Sequence, residues 1–224
     1  AWEAHEVFAV RRALLHIETF LNVDFVEVSA SLNPDLDFGF AALDDGIAGY
    51  GGWKAETSGD RITGVDSFAV FDRDFDIVGD RHAVVLHEIG HALGLRHSFD
   101  TDLLPKRFDT TKWTTMSYDE HPGTGVSSDA MGVFDVLALQ DIWGAASYST
   151  GNTTYTGSRT ATTDTIWDTG GWDIFDASAR SHRVKLDLRE GEYSRFGPHY
   201  EDVAVAFGTV IEASAGGSGN DRLA

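Results

Sequence analysis

The sequence predicts an α+β chain in two parts: mixed helices and strands over residues 1–146, then an all-β module over 147–224. Three observations predict this. Apolar residues recur at helical spacing in three stretches, near residues 2–21, 82–95 and 131–143. Short apolar runs bounded by Gly and Asp lie between the first two of them. Near Gly144 the helical period stops and the composition turns to Ser, Thr, Gly and Asn, with short strand-like pieces between turns.

The first helix rests on Val7, Phe8, Val10, Leu14, Leu15, Ile17 and Leu21. Residues 25–28 then read as a short strand and residues 36–40 as a second. The glycine-rich run 47–53 reads as an edge strand or a loop lining a cleft. Residues 65–71 form a further strand, running into the acidic stretch 72–76. A helix is predicted over 82–95. Ser128 and Asp129 offer N-caps to the last helix, whose apolar positions are Met131, Phe134, Leu137, Leu139, Ile142 and Trp143 and which Gly144 ends. Residues 165–167, 184–186 and 203–205 are the strand candidates of the second part.

Composition bounds the function. A chain of 224 residues, 42% hydrophobic with six Trp, can bury a substantial core. Against 36 acidic residues it has only 17 basic ones, a formal charge of −19. That disfavours nucleic acid and anionic membranes as partners and suits multivalent cations. Cysteine is absent, which excludes a disulfide scaffold and a thiolate metal site. No apolar run approaches a membrane span, and the first residues lack the basic-then-apolar pattern of a signal peptide.

The chemistry is concentrated in His87-Glu88-Ile89-Gly90-His91-Ala92-Leu93-Gly94-Leu95-Arg96-His97. On a helix His87 and His91 lie one turn apart on one face, so both rings can reach one metal. Glu88 lies about 100° around that helix and can touch a metal-bound water without ligating the metal. Gly94 lets the chain leave the helix with positive φ and swings His97 back as a third ligand. Three nitrogens leave a fourth position open, as in a catalytic zinc site. His82 reads as packing or capping that helix, and His121 as lining the cleft or lying on a surface loop. His5, His16, His182 and His199 show no ligand spacing.

With Thr115-Met116-Ser117-Tyr118 downstream, the long motif resembles the metzincin metallopeptidases, which carry a methionine turn beneath the metal. Met-Ser-Tyr is similar to the serralysin branch, and so is the segment 135–144, which resembles the helix closing a serralysin catalytic domain. The resemblance implies a zinc endopeptidase acting on extended polypeptides: Glu88 activates the zinc-bound water, and Tyr118 ligates zinc or stabilises the transition state. Ser98 departs from the branch, which usually has proline there, whereas matrixins have serine. The loop from Ser98 to Thr115 is shorter than usual.

Gly216-Gly217-Ser218-Gly219-Asn220-Asp221 with Arg222-Leu223-Ala224 resembles one calcium-binding nonapeptide of an RTX parallel β-roll. The segment 167–173 is similar to a serralysin segment that binds two calcium ions. Carried over, Asp168 and the Gly170 carbonyl join the carbonyls of Ser149 and Gly151, and Thr153, at one ion. Gly171 and Asp173 share a second ion with Glu212, and Asp221 serves a roll site. Trp172 replaces a usual small polar residue. By the same resemblance the chain begins without the first strand of a metzincin domain and stops in the first RTX repeat. The expected protein is a monomer, bacterial, secreted to the extracellular space by a C-terminal signal that this chain does not include. The alternatives are a matrixin-like peptidase and a catalytically inactive, calcium-dependent binding or structural module.

Overall fold

The structure is a computed structural model, and it describes residues 2–77, 82–100 and 103–224. Residues 101–102 of the loop after the third histidine lie outside the described residues, as does Ala1 at the N-terminus.

Helix α1 spans Ala4–Glu18 and buries Ala9, Val10, Ala13 and Ile17. Its first turn is closed by Glu6, whose carboxylate accepts the Glu3 N–H at 2.7 Å. The strand expected at residues 25–28 does not form. That segment has no regular secondary structure and no partner strand among the described residues. Phe25 packs against the core, while Val26 and Val28 are exposed. Two contacts to α1 hold it instead: the Phe25 N–H donates to Glu18, and Arg11 pairs with Glu27. An alternating pattern makes a strand only where a neighbour can complete the ladder.

The other three strands form one sheet. They are β1 (Leu36–Ala41), β2 (Gly49–Ser58) and β3 (Arg61–Asp72), in the order β1-β3-β2. β1 runs parallel to β3, and β2 returns antiparallel to it as an edge strand, joined by a tight hairpin in which Gly59 takes φ +63°. Helix α2 (His82–Ala92) packs on this sheet and buries Val85, Leu86, Ile89 and Ala92.

Helix α3 spans Val133–Trp143 and ends at Gly144, with φ +84°. It starts later than expected. Gly132 is its N-cap, and Asp135 accepts the Gly132 N–H at 2.8 Å. The expected caps are used elsewhere. Asp129 accepts the Ala161 and Thr162 N–H groups, and the Ser128 hydroxyl meets that of Thr163. Both fasten this segment to the second half of the chain.

That second half contains β4 (Thr154–Tyr155), β5 (Asp164–Ile166), β6 (Ile174–Asp176), β7 (Lys185–Leu186), β8 (Tyr193–Ser194), β9 (Val203–Val205), β10 (Ala213–Ala215) and β11 (Arg222–Leu223). They form small sheets in the orders β10-β6-β4, β11-β7 and β5-β9-β8, mostly parallel. Phe175, Val184, Leu186, Phe196, Val203 and Val205 make its core. Trp167 and Ala206 instead join the core shared by α1, α2, α3 and the sheet, and the Trp167 indole donates to the Ala146 carbonyl at 2.9 Å. Burying a side chain of this size is worth about 1.5–3 kcal/mol, so these contacts anchor one half to the other.

Candidate metal centre

Helix α2 carries His87 and His91 with ring centroids 4.7 Å apart. The helix stops as Gly94 takes φ +105° and the Leu95 N–H turns back to the Gly90 carbonyl at 2.9 Å. A Cβ at Gly94 would lie 2.7 Å from the Trp53 ring, so both space and dihedral require glycine. The turn returns His97 to within 4.5 Å of the His91 ring and 5.3 Å of the His87 ring. One ligand atom from each histidine lies within 4.8 Å of the others. Among the described residues no other group of three or more His, Asp or Glu converges in this way.

The tautomers follow from the neighbours. His87 Nδ1 lies 2.8 Å from the Thr115 carbonyl and His91 Nδ1 lies 2.9 Å from the Leu95 carbonyl. A carbonyl only accepts, so each Nδ1 donates and each Nε2 keeps a free lone pair. Burial pushes His87 down to about 4, against the raising effect of its bond to Thr115, and lowers His91 as well. Both rings are therefore neutral near pH 7, the form that ligates a metal. The chemistry of the donor set fits zinc.

Glu88 is buried beside the trio, and burial raises its pKa to about 7, with the Gly51 amide pulling the other way. Edge strand β2 reaches it because Gly49 and Gly51 lack side chains. A Cβ at Gly49 would sit 2.6 Å from Glu88 Cγ, and one at Gly51 would sit 2.3 Å from the Glu88 carbonyl oxygen.

Below the rings lies Met116, 2% exposed. A Cβ at Gly90 would come within 2.7 Å of its sulfur. Two buried carboxylates hold this turn. Asp135 accepts from the Thr114 hydroxyl at 2.5 Å, the Thr115 N–H at 2.6 Å and the Thr115 hydroxyl at 3.0 Å. Asp109 accepts from the Ser98 and Ser117 hydroxyls at 2.7 and 2.8 Å and from Lys106 at 3.1 Å. Burial works to raise the Asp109 pKa, but these three donors outweigh it and hold the group below its usual range. Ser98, the departure from the serralysin pattern, thus ties the residue after His97 to the residue before Tyr118.

The Tyr118 hydroxyl lies 2.9 Å from His97 Nε2 on an otherwise exposed side chain. Burial of the phenol and the nearby Glu88 carboxylate raise its pKa, so it is a neutral donor. Phe99 stacks on His97 at 4.8 Å and 8°. Sequence reasoning missed Asp135, Asp109 and Phe99, and placed Gly49 and Gly51 on an edge strand or cleft loop without their approach to Glu88. Only Phe99, two residues after the third histidine, was visible from its place in the motif.

The remaining histidines divide. His82 is buried at the start of α2. His121 neither lines the cleft nor lies on the surface. It is 2% exposed, and its Nδ1 accepts the Gly123 and Thr124 N–H groups. His16 Nε2 accepts the Met131 N–H at 3.2 Å.

The residues assigned to calcium are brought together in part. Asp173 Oδ1 accepts the Thr153 N–H at 2.7 Å, and Glu212 accepts the Asp173 N–H at 2.7 Å. Asp168 accepts the Tyr155 hydroxyl and the Gly170 N–H. Gly170 and Gly171 take φ +157° and +128°, and a Cβ at Gly171 would lie 2.6 Å from the Gly151 carbonyl oxygen. Ser149, at φ +53°, places its hydroxyl 3.0 Å from that of Thr153. Asp173 Oδ2 is buried with no hydrogen-bond partner. Burial first, then the Asp168 and Glu212 carboxylates, raise the Asp173 pKa against the Thr153 amide. Trp172 is exposed, its N–H donating to Asn152. Asp221 lies apart from this group, accepting the Val184 and Gly217 N–H groups at 2.9 and 2.8 Å.

Comparison with known proteins agrees with this architecture. The matrixin model of the M10 peptidases matches residues 3–125, and the M10 serralysin C-terminal model matches residues 138–224. The chain belongs to the M10 peptidase family, and it is a metzincin of the serralysin type. It is 30% identical over 237 residues to a serralysin of Photorhabdus laumondii, and 32% identical over 242 residues to serralysin B of Dickeya chrysanthemi. Each alignment covers 90% of this chain and 49% of the relative. The chain thus spans about half the length of the curated relatives it matches. Its mixed α/β first half is consistent with a metzincin domain.

Proposed function

We propose that the protein is a zinc-dependent endopeptidase, with His87, His91 and His97 as the zinc ligands and Glu88 as general base. The observation that carries this reading is the convergence of three imidazoles, with His87 and His91 neutral and their Nε2 lone pairs free, beside one buried carboxylate. Zinc held there would supply Lewis acidity and bring the pKa of a water molecule from 15.7 toward about 7. Glu88 takes the proton of the attacking water and passes it to the leaving amine. Tyr118, within reach of the same centre, donates its hydroxyl proton in a hydrogen bond to the carbonyl oxygen as negative charge develops there. The Gly49/Gly51 approach leaves β2 as the edge along which an extended polypeptide pairs.

The first unit, to about residue 146, is the catalytic domain in this reading, and residues 147–224 belong to a calcium-binding β-roll domain. Asp168, Thr153 and the carbonyls of Ser149, Gly151 and Gly170 would hold one calcium ion, and Gly171, Asp173 and Glu212 a second. The buried, unpartnered Asp173 oxygen and the mutual repulsion of three carboxylates support a cation here. Asp221 keeps a lone pair on each oxygen for a roll-type ion. A monomer secreted to the extracellular space fits the serralysin relatives, and no helix among the described residues is long and apolar enough to cross a membrane. The test is hydrolysis of unfolded casein at fixed calcium. Activity should disappear with a zinc-selective chelator and return on adding zinc. Activity indifferent to the chelator would overturn the reading.

A further inference from the structure

Four of the 17 basic residues in this acidic chain line one small cavity, far in sequence from the histidine motif. The cavity is about 220 Å³ and is lined by Arg183, Lys185, Arg195, Glu201 and Arg222. Strand register makes the cluster. Arg222 of β11 lies opposite Lys185 of β7, and Lys185 bridges Arg195 on its other side. Three cations therefore stand abreast on neighbouring strands, an arrangement that like-charge repulsion disfavours unless an anion offsets it.

The carboxylates nearby offset only Lys185 of the three. Glu201 divides its two oxygens between Lys185 and Lys112, each at 2.5 Å. Asp187 pairs with Arg189, and Asp221 is turned to the Val184 and Gly217 amides. Among the described residues, Arg183, Arg195 and Arg222 form no ion pair. Arg195 Nε is buried and has no hydrogen-bond partner at all. A buried guanidinium N–H without an acceptor is costly, and the planar fork of arginine matches the spacing of oxyanion oxygens.

We propose that this cavity binds a tetrahedral oxyanion of the sulfate or phosphate class, as the free ion or as an ester on a sugar. The site lies outside the peptidase machinery and stands whether or not that reading holds. It would give a strongly acidic protein one locally cationic contact for sulfated or phosphorylated material.

The test is thermal unfolding of the chain in calcium-containing buffer, with millimolar sodium sulfate against sodium chloride at equal ionic strength. At about ten times its Kd, sulfate should raise Tm by about 3–6 °C. Arg183→Gln and Arg222→Gln alter exposed side chains, so both should fold. Each should lose the sulfate increment, with Tm in chloride unchanged or raised because repulsion is relieved. Glucose 6-sulfate separates the sources: a Kd tenfold below that of inorganic sulfate assigns an ester, and equal values assign the free ion. No increment in the wild-type chain would overturn the proposal. So would an equal increment in both variants, which is the general salting effect of sulfate. A drop in chloride Tm in the variants would instead make the arginines structural and also overturn it.

Discussion

Replacing Asp135 with alanine should damage both the fold and the metal centre, because one carboxylate serves two elements. It accepts the Gly132 N–H at the start of α3, and the N–H and hydroxyl of Thr115 with the hydroxyl of Thr114 in the methionine turn. The Thr115 carbonyl in turn receives His87 Nδ1–H at 2.8 Å. Alanine would leave two buried backbone N–H groups without acceptors, at about 1–3 kcal/mol each. Removing a buried charge returns part of this, since burial raises the Asp135 pKa despite its donors. The net loss should be about 2–4 kcal/mol, read from urea unfolding at fixed calcium. Loss of an outer partner of a ligand costs about 10–100-fold in metal affinity, so zinc should bind at least tenfold more weakly. Asp135→Asn keeps one acceptor and should lie between the two. Wild-type stability and zinc affinity in Asp135→Ala would refute the chain of contacts from α3 to His87.

Other perturbations have equally definite outcomes. Burial pushes His16 down to about 4, below its unfolded value of 6.5, so its contribution to stability is complete above pH 6.5 and is lost as pH falls toward 4. The full shift corresponds to about 3 kcal/mol, and partial exposure trims it to about 2 kcal/mol; His16→Gln should flatten that part of the stability–pH curve by this amount. Gly51→Ala places a Cβ 2.3 Å from the Glu88 carbonyl oxygen, and should cost about 1–3 kcal/mol by thermal unfolding and most of the activity by pushing β2 off α2. Asp173→Asn removes a carboxylate that Asp168 and Glu212 repel, so stability without calcium should hold or rise while the stabilisation by added calcium shrinks. An undiminished calcium increment in that variant would remove Asp173 from the site.

The histidine trio was legible because its geometry is local. Helical spacing of His87 and His91, then a glycine-led turn to His97, needs no information from the rest of the chain. The same holds for the three helices and for the glycine-rich edge strand, whose apolar or small positions repeat at short range. The groups that organise the site were not legible, because they act across long separations. Asp135 reads as an ordinary first-turn acid of α3 until Thr114 and Thr115 are seen to fold onto it. Asp109 looks like a loop residue until Ser98 and Ser117 converge on it. Residues 25–28 failed in the opposite direction. Their local pattern was sound for a strand, and only tertiary structure shows that no partner strand lies beside them.

The central claim is that the three histidines hold the metal while Glu88 does the proton transfer. Glu88→Ala tests it most directly, with zinc content and casein hydrolysis measured on one preparation at fixed calcium. The account predicts wild-type zinc content together with loss of turnover by several orders of magnitude. Retained hydrolysis in that variant would contradict it, as would loss of the zinc, since either would give Glu88 a different role.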